Sequence, residues 1–370
     1  MPGTGFCRII TPILALLLAG CNPFSDARPL MDEYVERVAR VLETDPQLSD
    51  LESASQLPRR RNRVLTMPEL DMGMLDFLSL YGCELQYVVG GKNSVMGRVM
   101  QPLNRLRYEV RFIEAARDCL PDIEDEEFSE ELTEAIDSKL ESLPIAIWNA
   151  TWGVEEIEKL FTLAKGYYPV SAEGNPVSDL ALDIDSLNAA VARLRAEDLA
   201  VSLDFAGDVH QRWQAEYRAG QLINSALLLT ARLRDGTRLL KQRTEGQPLC
   251  LNGKPNNQSD IVRNMFFSVY IEKIQPYMSA VRQGRTALIE PFERLAELQA
   301  DTMPESFTGW YERHLSQDAR NSLWRELDVA MMDHTRAWQE LLGQCGLRPG
   351  AKIQVLKSVF QFVTGLFTLR

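Results

Sequence analysis

The side chains with the greatest capacity for chemistry are few and scattered. The three histidines, His210, His314 and His334, stand alone in sequence, and "GDVHQRW" puts Trp213 where a His-x-x-Glu metal pair needs a carboxylate. "GGKNS", residues 90–94, carries Asn93 where a phosphate loop needs Ser or Thr, and Gln86 where it needs its first glycine. A turn between two helices fits better, with Gly90 and Gly91 ending one and Asn93 or Ser94 capping the next. "DIEDEEFSEE", residues 122–131, lacks calcium-loop order and reads as the solvated, acidic start of a helix. His334 lies on an apolar stripe and reads as a hydrogen-bonded core histidine. Glu109 and Glu114, with Tyr108, are the groups to inspect for a site assembled only in the fold. No Gly-x-Ser-x-Gly elbow or Ser-x-x-Lys pair occurs, so the sequence names no catalytic residue, metal ligand or cofactor and leans away from an enzyme.

One residue does carry a chemical signature. An apolar run from Ile9 to Leu18 ends in Ala19-Gly20 and meets Cys21. That run is too short for a bilayer span, which needs about twenty residues, and its small-residue end reads as a cleavage site. Leu17-Leu18-Ala19-Gly20-Cys21 resembles the lipobox of bacterial lipoproteins. The resemblance implies removal of residues 1–20, a diacylglycerol thioether on Cys21 and an acylated amino terminus, with palmitate as a typical chain. Several acyl chains make a lasting anchor, at about 0.8 kcal/mol per buried methylene. The same resemblance implies that Asn22, rather than Asp, favours outer-membrane delivery, so the expected location is the Gram-negative envelope, facing the periplasm. Residues 21–29 then form a lipidated tether.

Composition bounds the partners. Loss of the leader leaves 39 basic and 52 acidic side chains, a net charge of −13. This excess of carboxylates argues against nucleic acid, whose phosphates are met by Lys and Arg. The expected partners are the membrane, through the anchor, and another envelope protein. Within the acidic chain "PRRRNRV" gathers Arg59, Arg60, Arg61 and Arg63. This cluster reads either as a solvated loop or as a contact for lipid headgroups or an acidic partner.

Four cysteines remain after Cys7 and Cys21: Cys83, Cys119, Cys250 and Cys345. An exported chain favours two disulfides, with three connectivities open. Near-neighbour pairing, Cys83–Cys119 and Cys250–Cys345, would staple each half. A straight hairpin of helices 74–90 and 95–119 would keep the first pair apart, Cys83 about 13 Å and Cys119 about 40 Å from the turn, unless the chain bends at Pro102. Four buried free thiols are the remaining reading.

The elements that must position these groups are helical. Leu30, Tyr34, Val38 and Val41 recur at helix spacing, as do Val99 to Ile113, Leu222 to Leu233, and Leu323 to Leu341. The fold class is all-α, a multi-helix bundle in two packed halves, 30–170 and 177–350, divided by the turn-rich segment 166–179. Residues 45–68 and 246–260 read as loops, and Pro276 and Pro291 should kink or restart helices. The apolar segment 351–370 forms a last helix that docks into the core, a partner groove or a membrane interface.

Three stretches, "YGCELQYVVGGKNSVMGRVMQPLNRLRYEVRFIEAARDCL", "CLNGKPNNQSDIVRNMFFSVYIEKIQPYM" and "AWQELLGQCGLRPG", resemble the proteobacterial lipoprotein family called domain of unknown function 3080. The resemblance spans most of residues 30–350 and implies an exported, lipid-anchored helical protein; it brings no activity, cofactor or site residue. The leading functional expectation is a non-catalytic scaffold or adaptor. The alternatives are a carrier for an apolar ligand, with helices 97–119 and 257–281 framing a groove, and an enzyme.

Overall fold

The computed structural model describes residues 26–68, 82–93, 100–171 and 174–347. Cys21, the expected leader 1–20 and the segment 351–370 lie outside them. Among the described residues the fold is twelve helices with no strand. In chain order they are α1 (Ala27–Leu42), α2 (Arg60–Arg63), α3 (Glu84–Asn93), α4 (Pro102–Cys119), α5 (Glu126–Thr151) and α6 (Glu156–Leu160). There follow α7 (Ser178–Arg195), α8 (Ala206–Ala215), α9 (Arg218–Glu245), the long α10, α11 (Glu305–His314) and α12 (Leu323–Gly343). The all-α expectation holds because the apolar stripes find each other. Leu30, Tyr34 and Val38 of α1, Leu222, Leu229 and Leu233 of α9, and Leu323, Leu327 and Leu341 of α12 are all buried. The central α9 packs against α1 on one side and α12 on the other.

α1 begins earlier than the sequence suggests. The Asp26 side chain caps it at Ala27, and Pro29 sits in the first turn, where its missing N–H costs nothing. α1 therefore begins inside the segment 21–29 that the sequence assigns to a tether. Ala27, Leu30 and Met31 are already buried, so the chain enters the core within a turn.

α10 answers the question of the two prolines. The chain stays helical through Asn257–Met265, Phe266–Ile274, Gln275–Gly284, Arg285–Ile289 and Glu290–Glu297. The second and fourth of these segments are π-helical. The residue before each proline bonds five positions back, Gln275 N–H to the Tyr270 carbonyl and Glu290 N–H to the Arg285 carbonyl. A wider turn moves the carbonyl that each proline ring would strike, so α10 passes both prolines without a break. An Asn256–Ser259 capping box starts it.

Residues 44–68 are a strap rather than a free loop. Ser49 bonds Asp235 on α9, Trp310 Nε1 on α11 donates to the Ser55 carbonyl, and Asn149 on α5 bonds both backbone groups of Leu65. Contacts also cross the 166–179 segment: α1, from the first half of the chain, packs on α9 and α10 from the second.

The chain does not turn at Gly90 and Gly91, where the sequence suggests a turn. α3 runs through Gly90 and Gly91 to Asn93 instead of ending at the glycines. Two helical glycines cost about 1 kcal/mol each; burial of Leu85, Val88 and Val89 in the core offsets that cost. α4 starts at Pro102, so the proline opens it rather than bending it.

Candidate functional site

Three buried polar constellations meet the chemical criteria for a site. The first joins α4 and α5. Glu109 is fully buried and takes an ion pair from Arg105 Nε one turn earlier. From α5, Lys139 Nζ lies 2.8 Å from Glu109 Oε2 and is itself buried. Lys139 also lies 5.6 Å and 5.5 Å from the ring centroids of Tyr108 and Phe112, and Arg105 lies 5.5 Å from Tyr108. Burial, and then the Glu109 charge, push the Tyr108 hydroxyl well above its usual range, so it stays protonated.

Glu109 and Glu114 are not brought together. Five residues along a helix turn them to different faces. Glu114 is exposed and lines an open groove of about 900 Å³ between α4 and the loop residues 197–204, with Arg107, Arg111 and Arg117 among its walls. Two carboxylates that face different elements cannot share a proton or a substrate atom, so the arrangement suits structure rather than acid–base work.

The second constellation surrounds His334, on α12. The Thr237 hydroxyl donates to the Leu233 carbonyl at 2.7 Å, so it accepts from His334 Nδ1–H at 2.9 Å. This fixes the tautomer: Nε2 accepts from the Tyr34 hydroxyl at 2.5 Å, and Trp338 Nε1–H donates to that same hydroxyl oxygen at 2.9 Å. Every member is buried. Burial lowers the His334 pKa to about 3, so the ring stays neutral across the physiological range. The expectation of a hydrogen-bonded core histidine is met in full. His314 is similar: its Nδ1 lies 3.1 Å from the Trp310 carbonyl and burial lowers it to about 4. His210, lowered by burial, sits against Trp213.

The third constellation pins the strap. Buried Asp235 receives the Ser49 N–H at 3.0 Å, Arg232 at 3.1 Å and Arg238 at 2.6 Å, while Arg232 reaches Asp32 on α1 at 2.5 Å. No signal in the sequence singled out Asp235, because a buried acid on a long helix reads like any exposed one.

The arginine cluster divides. Arg63 is fully buried. Its guanidinium donates to the Pro58 carbonyl at 2.6 Å, to the Trp152 carbonyl, and to Glu158 at 2.5 Å. Arg60 bonds the Gly153 carbonyl and reaches Glu155 at 3.4 Å. Arg63 is therefore unavailable to a headgroup or partner, and the reading of all four as one contact surface is corrected. The cause is that α2 turns 63 inward onto Trp148 and Trp152, whose rings stack 6.1 Å apart. Arg59 and Arg61 remain exposed.

The cysteines take near-neighbour positions. Cys83 and Cys119 have Cα atoms 5.9 Å apart, Cys250 and Cys345 5.1 Å, both within disulfide reach. The first pair ties the start of α3 to the end of α4; the second ties the 246–256 loop to the end of α12. The acidic run 122–131 supplies the Asp125 cap and the Glu126–Glu127 first turn of α5. Helices 97–119 and 257–281 do not frame a groove: α4 packs on α3 and α5, whereas the 257–284 run packs on α1 and α9. Among the described residues no group of His, Cys, Asp and Glu is arranged to hold a metal ion, and no helix is long and apolar enough to cross a membrane.

Fold and constellations together define an all-α protein whose buried charges and hydrogen bonds join its helices and strap to one another. A family profile described as "Protein of unknown function (DUF3080)" matches residues 31–349, and the chain belongs to that family. No curated protein and no solved structure matches it.

Proposed function

We propose that the protein is a lipid-anchored component of a Gram-negative cell envelope, held by Cys21 to the periplasmic face of the outer membrane. Its helical body acts as a scaffold or adaptor for another envelope component. The observation that carries this reading is where the buried charge is spent. Glu109 and Lys139 join α4 to α5, Asp235 and Arg232 join α9 to the strap and to α1, and Arg63 joins the strap to the Trp152 carbonyl. Buried ion pairs contribute little net stability and serve best to fix one arrangement. A body whose ionic groups fix its own shape is suited to presenting a surface. The lipobox-like sequence at Leu17–Cys21 supports the anchor.

Two measurements test the proposal. The intact mature chain, extracted in detergent, should lack residues 1–20 and carry acyl mass on Cys21; an unmodified mass would overturn the anchor. Affinity purification from detergent-solubilised envelopes should return the same partner in replicate preparations. Recovery of none would overturn the adaptor role.

A further inference from the structure

The start of α1 says where a tethered body would meet lipid. α1 and α9 run parallel in a fixed register: Asp32 pairs with Arg232 at 2.5 Å, and a Cβ on Gly236 would lie 3.7 Å from Tyr34. Six residues back, that register brings Asp26 level with Ala226, next to Ser225. The Ser225 hydroxyl accepts the Tyr168 N–H at 2.8 Å, so the 163–168 segment lies at the same level. Gln221 and Asn224 hold that segment through the carbonyls of Lys165, Leu163 and Gly166. Burial raises the Tyr277 hydroxyl above its usual range, and the nearby Asp26 carboxylate raises it further.

This end of α9 carries a patch of cations and aromatic rings. Lys165 Nζ lies 5.7 Å and Arg218 Cζ 5.9 Å from the Tyr217 ring centroid. Arg218 also bonds Gln221 and lies 3.7 Å from Glu216. Lys165 is exposed and pairs with no carboxylate among the described residues. Arg28, 58% exposed, adds a third cation on α1, 3.7 Å from Asp32. Ser225 is within about 12 Å of Tyr217 along the helix. From Cys21 to Asp26 the chain can extend about 17 Å at most. A lipid on Cys21 therefore keeps this end of the body within reach of the headgroups.

We propose that the patch formed by Arg28, Lys165, Tyr167, Tyr217 and Arg218 is the surface that rests on the bilayer, its cations against lipid phosphates and its tyrosines at headgroup depth. The inference rests on the anchored reading above. It moves the lipid contact from the arginine turn to the α1 end, and it points the Cys250–Cys345 end away, since Gln258 bonds the Val41 carbonyl near the far end of α1.

The test is photo-crosslinking of the lipidated full-length mature protein in vesicles of phosphatidylethanolamine and phosphatidylglycerol. Benzoylphenylalanine is placed in turn at four exposed positions: Arg28, Lys165, Arg61 and Lys254. Phospholipid adducts should form at 28 and 165 and be at least tenfold weaker at 61 and 254. Equal or stronger adducts at 61 or 254, or none at any position, would overturn the orientation. The intact mass of the same preparation separates this from failure of the anchor, because an acylated chain with the wrong adducts refutes only the orientation. As a second arm, the Cys21→Ser chain should bind the same vesicles weakly. Lys165→Gln with Arg218→Gln should lower that binding about 25-fold, at roughly fivefold for each cation lost. Arg59→Glu with Arg61→Glu should leave it unchanged. The opposite pattern would overturn the proposal.

Discussion

Acid should unfold this protein partly through His334. The perturbation is a fall in pH from 7.5 to 4, compared between the wild type and His334→Gln. The folded ring titrates at about 3, against 6.5 for an ordinary histidine, because burial penalises the imidazolium and both nitrogens are already bonded. A depressed folded pKa means that the unfolded chain takes up a proton that the native state refuses. The stabilisation is present above about pH 6.5 and is lost as pH falls toward 3. The slope is about 1.4 kcal/mol per pH unit, or about 3 kcal/mol between pH 6.5 and 4. The assay is guanidinium unfolding of the oxidised protein, followed by the fluorescence of its six tryptophans, at half-unit steps of pH. His314, at about 4, and the carboxylates add their own slopes to both proteins, so the difference between the two curves isolates His334. The variant is less stable at neutral pH, but its curve should fall less steeply by one proton below pH 6.5. Parallel curves would show that His334 is already charged in the fold, and the tautomer argument would fall with it.

Other perturbations follow from the same geometry. Glu109→Gln leaves Lys139 and Arg105 facing a neutral group and should destabilise by about 3–5 kcal/mol; Glu109→Leu with Lys139→Met should recover most of that loss in denaturant titrations. Gly220→Ala puts a Cβ 2.0 Å from the Thr162 carbonyl oxygen, a backbone atom that cannot yield, and should cost about 3 kcal/mol or more. Gly309→Ala, in helical α11 with open space around it, should instead stabilise by about 0.5–1 kcal/mol, and thermal melts of the two variants should move in opposite directions. Replacing Cys250 and Cys345 by serine reopens a loop of sequence separation 95 and should cost about 2–4 kcal/mol with helical content retained; peptide mapping of the unreduced protein should recover 83 with 119 and 250 with 345.

What the sequence determined by itself was the helical class and the faces that would be buried. Apolar spacing at 3.6 residues is a local property, so the stripes of α1, α4, α9 and α12 could be read without knowing what they would meet. The histidine on such a stripe was legible for the same reason. Turn chemistry was less reliable. Gly90 and Gly91 carry an intrinsic cost but no instruction to stop, and packing overrode it. The prolines of α10 announced a disturbance, while its form, a π turn before each, depended on neighbours that hold the helix together. Tertiary structure alone decided the rest. Whether an arginine faces water or a tryptophan carbonyl depends on which segment lies beneath it, as Arg61 and Arg63 show two residues apart. Glu109 became a core charge because α5 brings Lys139 to it. Asp235 became the strap's anchor because residues 44–68 cross α9 there. Hydrophobic periodicity is written along one helix, but the partner of a buried charge lies on another, and only the packed chain brings the two together.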